Sequence, residues 1–170
     1  MEIVIYGSGA LGALAAEILM QSGAVETIGF IDDDPISKDI DISGLKVIGT
    51  GTDLPKLRKF GIEGLCIAAH DGETRSWIAR MAKSLGYEIV SAIDEKANVS
   101  SDASIGEGCI IAEGATIEAG ASVKPLCFIS RNAVVRSAAV IPAGTNVLTG
   151  EIVEPKSEGY EREPIVQSER

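Results

Sequence analysis

Valine or isoleucine recurs at every sixth position through the second half of this 170-residue sequence. The series has ten consecutive members, which are Val99, Ile105, Ile111, Ile117, Val123, Ile129, Val135, Ile141, Val147 and Val153. A fixed period places equivalent residues in a repeated structural unit, and a period of six is typical of a parallel β-helix, whose successive turns stack on one another. We therefore predict a β-helix with these branched side chains directed inward.

Small residues and glycines follow the same period. Nine of the ten positions two residues before each Val or Ile hold alanine, cysteine or threonine, and the tenth holds Glu151. Three residues after the Val or Ile, glycine occupies positions 108, 114, 120, 144 and 150, and Asn132 lies in the same column. Because glycine and asparagine tolerate positive φ angles, this column predicts tight corners between short strands.

The first half of the sequence alternates β-branched runs with segments of helical periodicity. Strands are predicted at residues 2–7, 27–32, 64–69 and 88–93, with a hairpin-like edge strand at 45–49; helices are predicted at 10–23, 52–61 and 72–86. This alternation favours a parallel sheet covered by helices on both faces, and such sheets bind ligands beyond the carboxyl ends of their strands.

The first of these strand ends carries a glycine motif. Gly7, Gly9 and Gly12 have the spacing G-x-G-x-x-G, and Asp32 follows the last glycine by twenty residues, at the end of the second predicted strand. Such a loop lets the backbone approach a phosphate at a helix N-terminus, and the aspartate can accept a hydrogen bond from a ribose hydroxyl. A tight turn that packs a helix on a strand favours the same glycines, so turn chemistry remains an alternative.

Two other features of this half are candidates for ligand contact. Three consecutive aspartates, 32–34, can bind a sugar, a base or a metal, or simply end a strand; we predict no metal, because no histidine or further carboxylate cluster lies nearby in the sequence. His70 is the sole histidine of the chain and follows a predicted strand. It is either a ligand contact or a solvated loop residue.

Charge and hydropathy limit the partners. The formal net charge is −10, with 25 acidic and 15 basic residues and no basic patch, which disfavours nucleic acids and anionic membrane surfaces. No segment approaches the roughly 18 apolar residues of a membrane-spanning helix, and no signal-type segment is apparent, so we predict a cytoplasmic protein. Three cysteines lack the spacing of a zinc site.

Together, the two halves resemble the bacterial sugar O- and N-acetyltransferases of the sialic acid O-acetyltransferase and UDP-amino-sugar N-acetyltransferase type. The motifs GSGALG, GFIDDDP, LKVIG, CIAAHDGETR and ANVSSDASIGEGCIIAEGATIEAGASV follow the layout of that family in order. The resemblance implies an α/β Rossmann-like domain followed by a short left-handed parallel β-helix of about three coils, with three faces and eighteen residues per coil. We assign residues 1–95 to the first domain, 96–153 to the β-helix and 154–170 to a polar C-terminal tail.

The resemblance also implies ligands and an assembly. The family uses acetyl-CoA bound in a groove between β-helices, takes a nucleotide sugar as acceptor, and forms homotrimers. By resemblance, Gly7, Ser8, Gly9 and Gly12 face the nucleotide phosphates, Asp32 and Asp33 meet the ribose or base, and the loop containing His70 closes the pocket. Trimer formation would cover the outward apolar residues of the β-helix, among them Ile110, Phe128, Val134 and Val140.

Cys109 and Cys127 lie eighteen residues apart, so the implied coil stacks them in one inward column. We predict buried thiols rather than a disulfide, because the cytoplasm is reducing.

The sequence departs from the family at the position of the catalytic base. Family members carry a histidine followed by a carboxylate on the β-helix, and the matching segment here has Ser137 and Ala138. We also expect the relatives to continue for several more coils. The main interpretation is acyl transfer from acyl-CoA to a nucleotide sugar without the usual base. The alternative is a non-catalytic trimer that binds nucleotide sugars or has a regulatory role. A dinucleotide-dependent reductase is a third, weaker one.

Overall fold

The computed structural model describes residues 1–156, and the tail predicted at 154–170 therefore lies almost entirely outside the described residues. The N-terminal domain is built on a six-stranded sheet with the order β3-β4-β2-β1-β5-β6, in which only the β3/β4 pair is antiparallel. Its strands are β1 (Glu2–Tyr6), β2 (Glu26–Ile31), β3 (Asp41–Ile42), β4 (Leu45–Gly49), β5 (Gly64–Ile67) and β6 (Glu88–Ile89). Its α-helices are α1 (Ala10–Ser22), α2 (Leu54–Lys59) and α3 (Gly72–Ser84), and short 3-10 helices cover Pro35–Asp39 and Gly51–Asp53.

Helices cover both faces of this sheet, as the alternating pattern predicts. The central strand β1 is buried on both sides, and Ile3, Val4 and Ile5 are fully inaccessible. Helix α1 packs on one face with the apolar cluster around Ile18, and α3 packs on the other with the cluster around Ile78. The predicted hairpin-like edge is also confirmed, since β4 pairs with both β2 and β3.

The second half of the chain is a short left-handed parallel β-helix, as predicted. Eleven two-residue strands form three sheets of four, four and three strands. They are β7 (Ala92–Ile93), β8 (Asn98–Val99), β9 (Ser104–Ile105), β10 (Ile110–Ile111), β11 (Thr116–Ile117), β12 (Ser122–Val123), β13 (Phe128–Ile129), β14 (Val134–Val135), β15 (Val140–Ile141), β16 (Asn146–Val147) and β17 (Ile152–Val153). Ile111 pairs with Ile129 in the next coil, so each coil has eighteen residues and the periodic side chains fill one continuous core.

The corners follow the glycine column. All five of its glycines have positive φ, and Asn132 has φ 56°. Leu126 and Ala138 occupy the same column with φ 62° and 61°, although a Cβ makes this conformation unfavourable by roughly 1–2 kcal/mol. Leu126 offsets this cost by burying its side chain against α3 and its neighbours.

One strand prediction is wrong. The segment 88–93 is not a single strand, because β6 ends the sheet at Ile89 and β7 pairs with β10 in the β-helix. The chain thus passes from one architecture to the other within two residues. Ile93 in β7 lies six residues before Val99, so the period of six begins one repeat earlier than the series predicted from the sequence.

The expectation that Ile110 and Phe128 lie on outward faces awaiting another subunit is also wrong. Ile110 is only 1% exposed, and it belongs to the apolar cluster that contains Leu11 and Ala15 of α1, against which Phe128 packs. One face of the β-helix is therefore covered by the chain's own α/β domain. Val140, on another face, remains 55% exposed.

The stacked cysteines are placed as predicted. Cys109 and Cys127 are free thiols buried in the β-helix core, one coil apart. Their Sγ atoms donate to the carbonyl oxygens of Lys124 at 3.3 Å and Pro142 at 3.1 Å.

Candidate functional site

The carboxyl ends of β1 and β5 form a crevice in the sheet. In the sheet, β2 lies on one side of β1 and β5 lies on the other. The loops that follow β1 (residues 7–9) and β5 (residues 68–70) therefore lead in opposite directions from neighbouring strand ends. Ligands of open α/β sheets bind at such a switch point. Helix α1 begins here at Ala10, and no side chain caps its N-terminus, which leaves backbone N–H groups directed at the crevice.

The three motif glycines have different reasons to be glycine. Gly7 has φ +103°, and an added Cβ would lie 2.9 Å from the oxygen of Ala68. A Cβ on Gly12 would lie 2.0 Å from the oxygen of Gly7. Both are therefore explained by the turn and by helix packing. Gly9 has φ −75° and open space where its Cβ would be, so neither strain nor packing within the described chain requires a glycine there.

Asp32 braces the glycine loop. Its Oδ2 accepts hydrogen bonds from the backbone N–H of Ser8 at 2.8 Å and from the Ser8 hydroxyl at 2.5 Å, and the Ser8 residue is only 4% exposed. Partial burial alone would raise the pKa of Asp32, but the hydrogen bonds from the Ser8 hydroxyl and from the backbone lower it overall. The Ser8 N–H is therefore already paired with an ionised carboxylate and is not free for a phosphate.

Asp33 points away from the loop. It accepts hydrogen bonds from the Tyr6 hydroxyl and, at 2.8 Å, from the backbone N–H of Gly51, so it fixes the turn after β4. Burial, reinforced by the hydrogen bond to Asp33, raises the pKa of the Tyr6 hydroxyl. Asp32 and Asp33 line a separate cavity of about 330 Å³ beside Lys38 and Thr50.

A large cavity at this end of the sheet lies between the two domains. It is a cleft of about 760 Å³ lined by Ala10, Leu11, Ala13, Leu14, Glu17, Ile42, Ser43, His70, Phe128, Ser130, Arg131 and Thr149. The start of α1 forms one wall and a corner of the β-helix forms the other, where the hydroxyls of Ser130 and Thr149 lie 2.9 Å apart. Of the predicted site residues, the structure brings His70 to this cleft.

Arg75 holds the cleft together, and sequence reasoning missed it. Its side chain is 1% exposed and makes five hydrogen bonds to neutral oxygens. The acceptors are Leu126 O at 2.8 Å, Ala69 O at 2.8 Å, His70 O at 2.8 Å, Gly144 O at 3.1 Å and Asn146 Oδ1 at 2.7 Å. Two belong to the loop after β5 and three to the β-helix. The signal available in the sequence was an arginine in the first turn of the helix that follows a predicted strand.

Ser137 and Ala138 lie at a different corner of the β-helix, between β14 and β15. The Ser137 N–H and hydroxyl both donate to Glu118 Oε2, at 2.8 and 3.0 Å, and Arg136 lies 3.4 Å from the same carboxylate. The hydrogen bond from the Ser137 N–H, then that from its hydroxyl, lower the pKa of Glu118. A carboxylate stabilised in this way is a weaker proton acceptor, so Glu118 does not turn Ser137 into a substitute for an imidazole.

Two further observations apply to residues 1–156. None of their helices combines the length and apolar character that crossing a membrane requires. Nowhere among them do three or more His, Cys, Asp or Glu side chains group as metal ligands.

Solved structures share this two-domain fold. A mutant of perosamine N-acetyltransferase from Caulobacter crescentus, in complex with CoA and GDP-perosamine, superposes with a TM-score of 0.75 at 24% identity over 91% of this chain and 89% of that chain. The acetyltransferase domain of PglB from Neisseria gonorrhoeae, in complex with acetyl coenzyme A, gives 0.68 at 22% identity, covering 91% of each chain. The matched parts thus make up about nine-tenths of each of these chains.

A family model for the PglD N-terminal domain matches residues 2–79. A search of curated protein sequences finds no match. Residues 2–79 of this chain are thus similar to the PglD N-terminal domain, and the chain as a whole shares the two-domain fold of these acetyltransferase structures.

Proposed function

We propose that the protein binds a nucleotide sugar in the interdomain cleft and transfers an acyl group to it from acyl-CoA. The observation that carries this proposal is the cleft itself, which joins the uncapped start of α1 to a wall of the β-helix. The solved structures of similar fold support it, since one holds CoA with GDP-perosamine and another holds acetyl coenzyme A.

The charges around the cleft suit a diphosphate. Backbone N–H groups and the helix dipole make the start of α1 favourable for anions, and Gly9 leaves open space directly beside it. Arg131 adds a cation on the opposite wall. The chain as a whole has a net charge of −10 and would repel a diphosphate. The start of α1 and Arg131 together form the part of the cleft where a nucleotide diphosphate can bind.

A second candidate is a non-catalytic protein that binds nucleotide sugars. The observation that favours it is the Ser137 corner, where the hydroxyl is bonded to a carboxylate of lowered pKa and no imidazole is present. The two candidates share the ligand and differ in turnover. Release of free thiol from acetyl-CoA that depends on a nucleotide sugar supports the first; ligand binding without such release supports the second.

Nucleotide sugars should raise the melting temperature of this protein. A ligand at one hundred times its Kd stabilises the folded state by about 2.7 kcal/mol, which for a chain of this size corresponds to roughly 5–10 °C. Gly9→Val should abolish the shift, because the new side chain fills the space beside α1, while leaving the ligand-free melting temperature nearly unchanged. Differential scanning fluorimetry with UDP- and GDP-sugars measures both.

Ala24→Val is the control, since it introduces the same valine side chain at an exposed position beyond the far end of α1. A full ligand shift in Gly9→Val would contradict the proposed phosphate position. A shift with NADH or NADPH but with no nucleotide sugar would instead indicate the dinucleotide-dependent reductase.

The protein should assemble as a homotrimer. Exposed apolar side chains remain on the β-helix, including Val140, Leu148 and Ile152 at 55%, 66% and 59%. An assembly about an axis parallel to the helix would cover such residues. Light scattering should give three times the chain mass of 17.7 kDa, and Val140→Lys should weaken the assembly. A stable monomer at micromolar concentration would rule out this arrangement.

A further inference from the structure

We propose that His70 is the proton acceptor of the acyl transfer, acting from the α/β domain in place of the histidine that the β-helix lacks. This inference rests on the proposed function. It assigns the chemistry to the cleft rather than to the Ser137 corner.

The backbone of His70 is fixed while its side chain is free. Its carbonyl oxygen accepts hydrogen bonds from Arg75 Nη1 at 2.8 Å and from Asn146 Nδ2 at 2.9 Å, which tie the residue to a buried cation and to the β-helix. The His70 residue itself is exposed and lines the cleft. An imidazole on an anchored backbone, at the strand end where ligands bind, is well placed to meet the sugar of a nucleotide held at α1.

Few other groups in the cleft can accept a proton. The hydroxyls of Ser130 and Thr149 are hydrogen-bonded to each other, and the guanidinium of Arg131 is a permanent cation. Glu17, an exposed residue of α1, is the remaining lining residue with a basic group. His70 and Glu17 are therefore the two candidates to compare, and imidazole is the more common base at neutral pH.

The proposed step conserves atoms and charge. The amine or hydroxyl of the sugar attacks the thioester carbonyl carbon, and its proton passes to the free ring nitrogen of His70. The C–S bond then breaks, and the departing CoA thiolate takes the proton from the imidazolium. The products are an acylated sugar and free CoA thiol, with His70 returned to its neutral form.

The test compares His70→Gln with Glu17→Gln, using acetyl-CoA and a panel of UDP- and GDP-linked amino sugars. We expect His70→Gln to lower kcat by about 10²–10⁴-fold, with little change in KM for the nucleotide sugar or in the thermal shift. Its own melting temperature should match the wild type, because the substitution keeps the carbonyl bonded to Arg75 and Asn146. Glu17→Gln, at the other candidate base, should lower kcat much less than His70→Gln does.

Two readouts separate a base from a structural role. The acid limb of the pH–rate profile should disappear in His70→Gln but persist in Glu17→Gln. Besides His70, the charged residues that line the cleft are Glu17 from α1 and Arg131 from the β-helix. Free imidazole should partly restore the rate of His70→Ala.

Each alternative result has a definite meaning. Wild-type rates in His70→Gln, or loss of activity in Glu17→Gln alone, would overturn the assignment. A protein whose melting temperature rises with nucleotide sugars but which releases no thiol would also overturn it, and would establish the non-catalytic candidate. If no nucleotide sugar shifts the melting temperature, the proposed function fails, and the role of His70 falls with it.

Discussion

Ile117→Asp should prevent the β-helix from folding. Ile117 is 1% exposed in the middle of the inward column, and it pairs with Val99 in the coil before and Val135 in the coil after. An aspartate there would bury an unpaired charge among branched apolar side chains, which is among the most unfavourable single changes in a core. The loss should exceed about 4–5 kcal/mol, comparable with the total stability of many domains.

Circular dichroism and urea denaturation measure this effect. The variant should lose cooperative unfolding of the β-helix and expose apolar surface, including the face that packs on α1. Ile117→Val, which removes one methyl group at the same place, should cost only about 0.5–1.5 kcal/mol. Thr116→Asp, on the neighbouring outward position, should remain folded. A soluble Ile117→Asp protein with wild-type unfolding would show that Ile117 does not point inward.

The β-helix could be predicted in detail because every repeat places its residues in the same environment. From Ile111 to Val147 the inward Val or Ile is buried by the neighbouring coils, so the sequence must repeat the choice at each of these steps. From Gly108 to Gly150 the corner column is equally constrained by positive φ, and its two members that are neither glycine nor asparagine, Leu126 and Ala138, adopt the same conformation as the glycines.

The outward positions could not be predicted in this way, because their environment depends on what packs against them. Ile110 and Val140 have the same place in the repeat, yet one is covered by α1 and the other is exposed. Periodicity carries no information about which face meets the α/β domain. The same limit explains the segment 88–93, where a β-branched run is divided between two sheets by tertiary pairing.

The candidate site was predicted in part. The glycine motif and His70 could be named as candidates because glycine spacing and a sole histidine are visible in the sequence. The sequence could not show that Gly7 and Gly12 serve packing while Gly9 faces open space. Nor could it show that Asp33 is bonded to Tyr6 and Gly51, which are 27 and 18 residues away.

Arg75→Met should lower the free energy of unfolding by about 3–5 kcal/mol, the range expected when a buried hydrogen-bond network is broken. The substitution keeps much of the side-chain volume but removes the donors to all five oxygens. Four of these bonds connect residues more than five positions apart, and three of them join α3 to the β-helix. Urea denaturation, with the midpoint and slope fitted separately, gives the change in stability.

Arg75→Lys should recover only part of this loss, since an ammonium cannot reproduce the planar fork that reaches the oxygens on both sides of the cleft. Arg80→Met is the control on the same helix, because Arg80 is exposed, and it should change stability by no more than about 0.5 kcal/mol. Arg75 also binds the carbonyls of Ala69 and His70, which belong to the loop at the cleft. Its removal should therefore also reduce the thermal shift that nucleotide sugars produce. Equal unfolding midpoints for Arg75→Met and Arg80→Met would mean that the two domains are held together without this arginine.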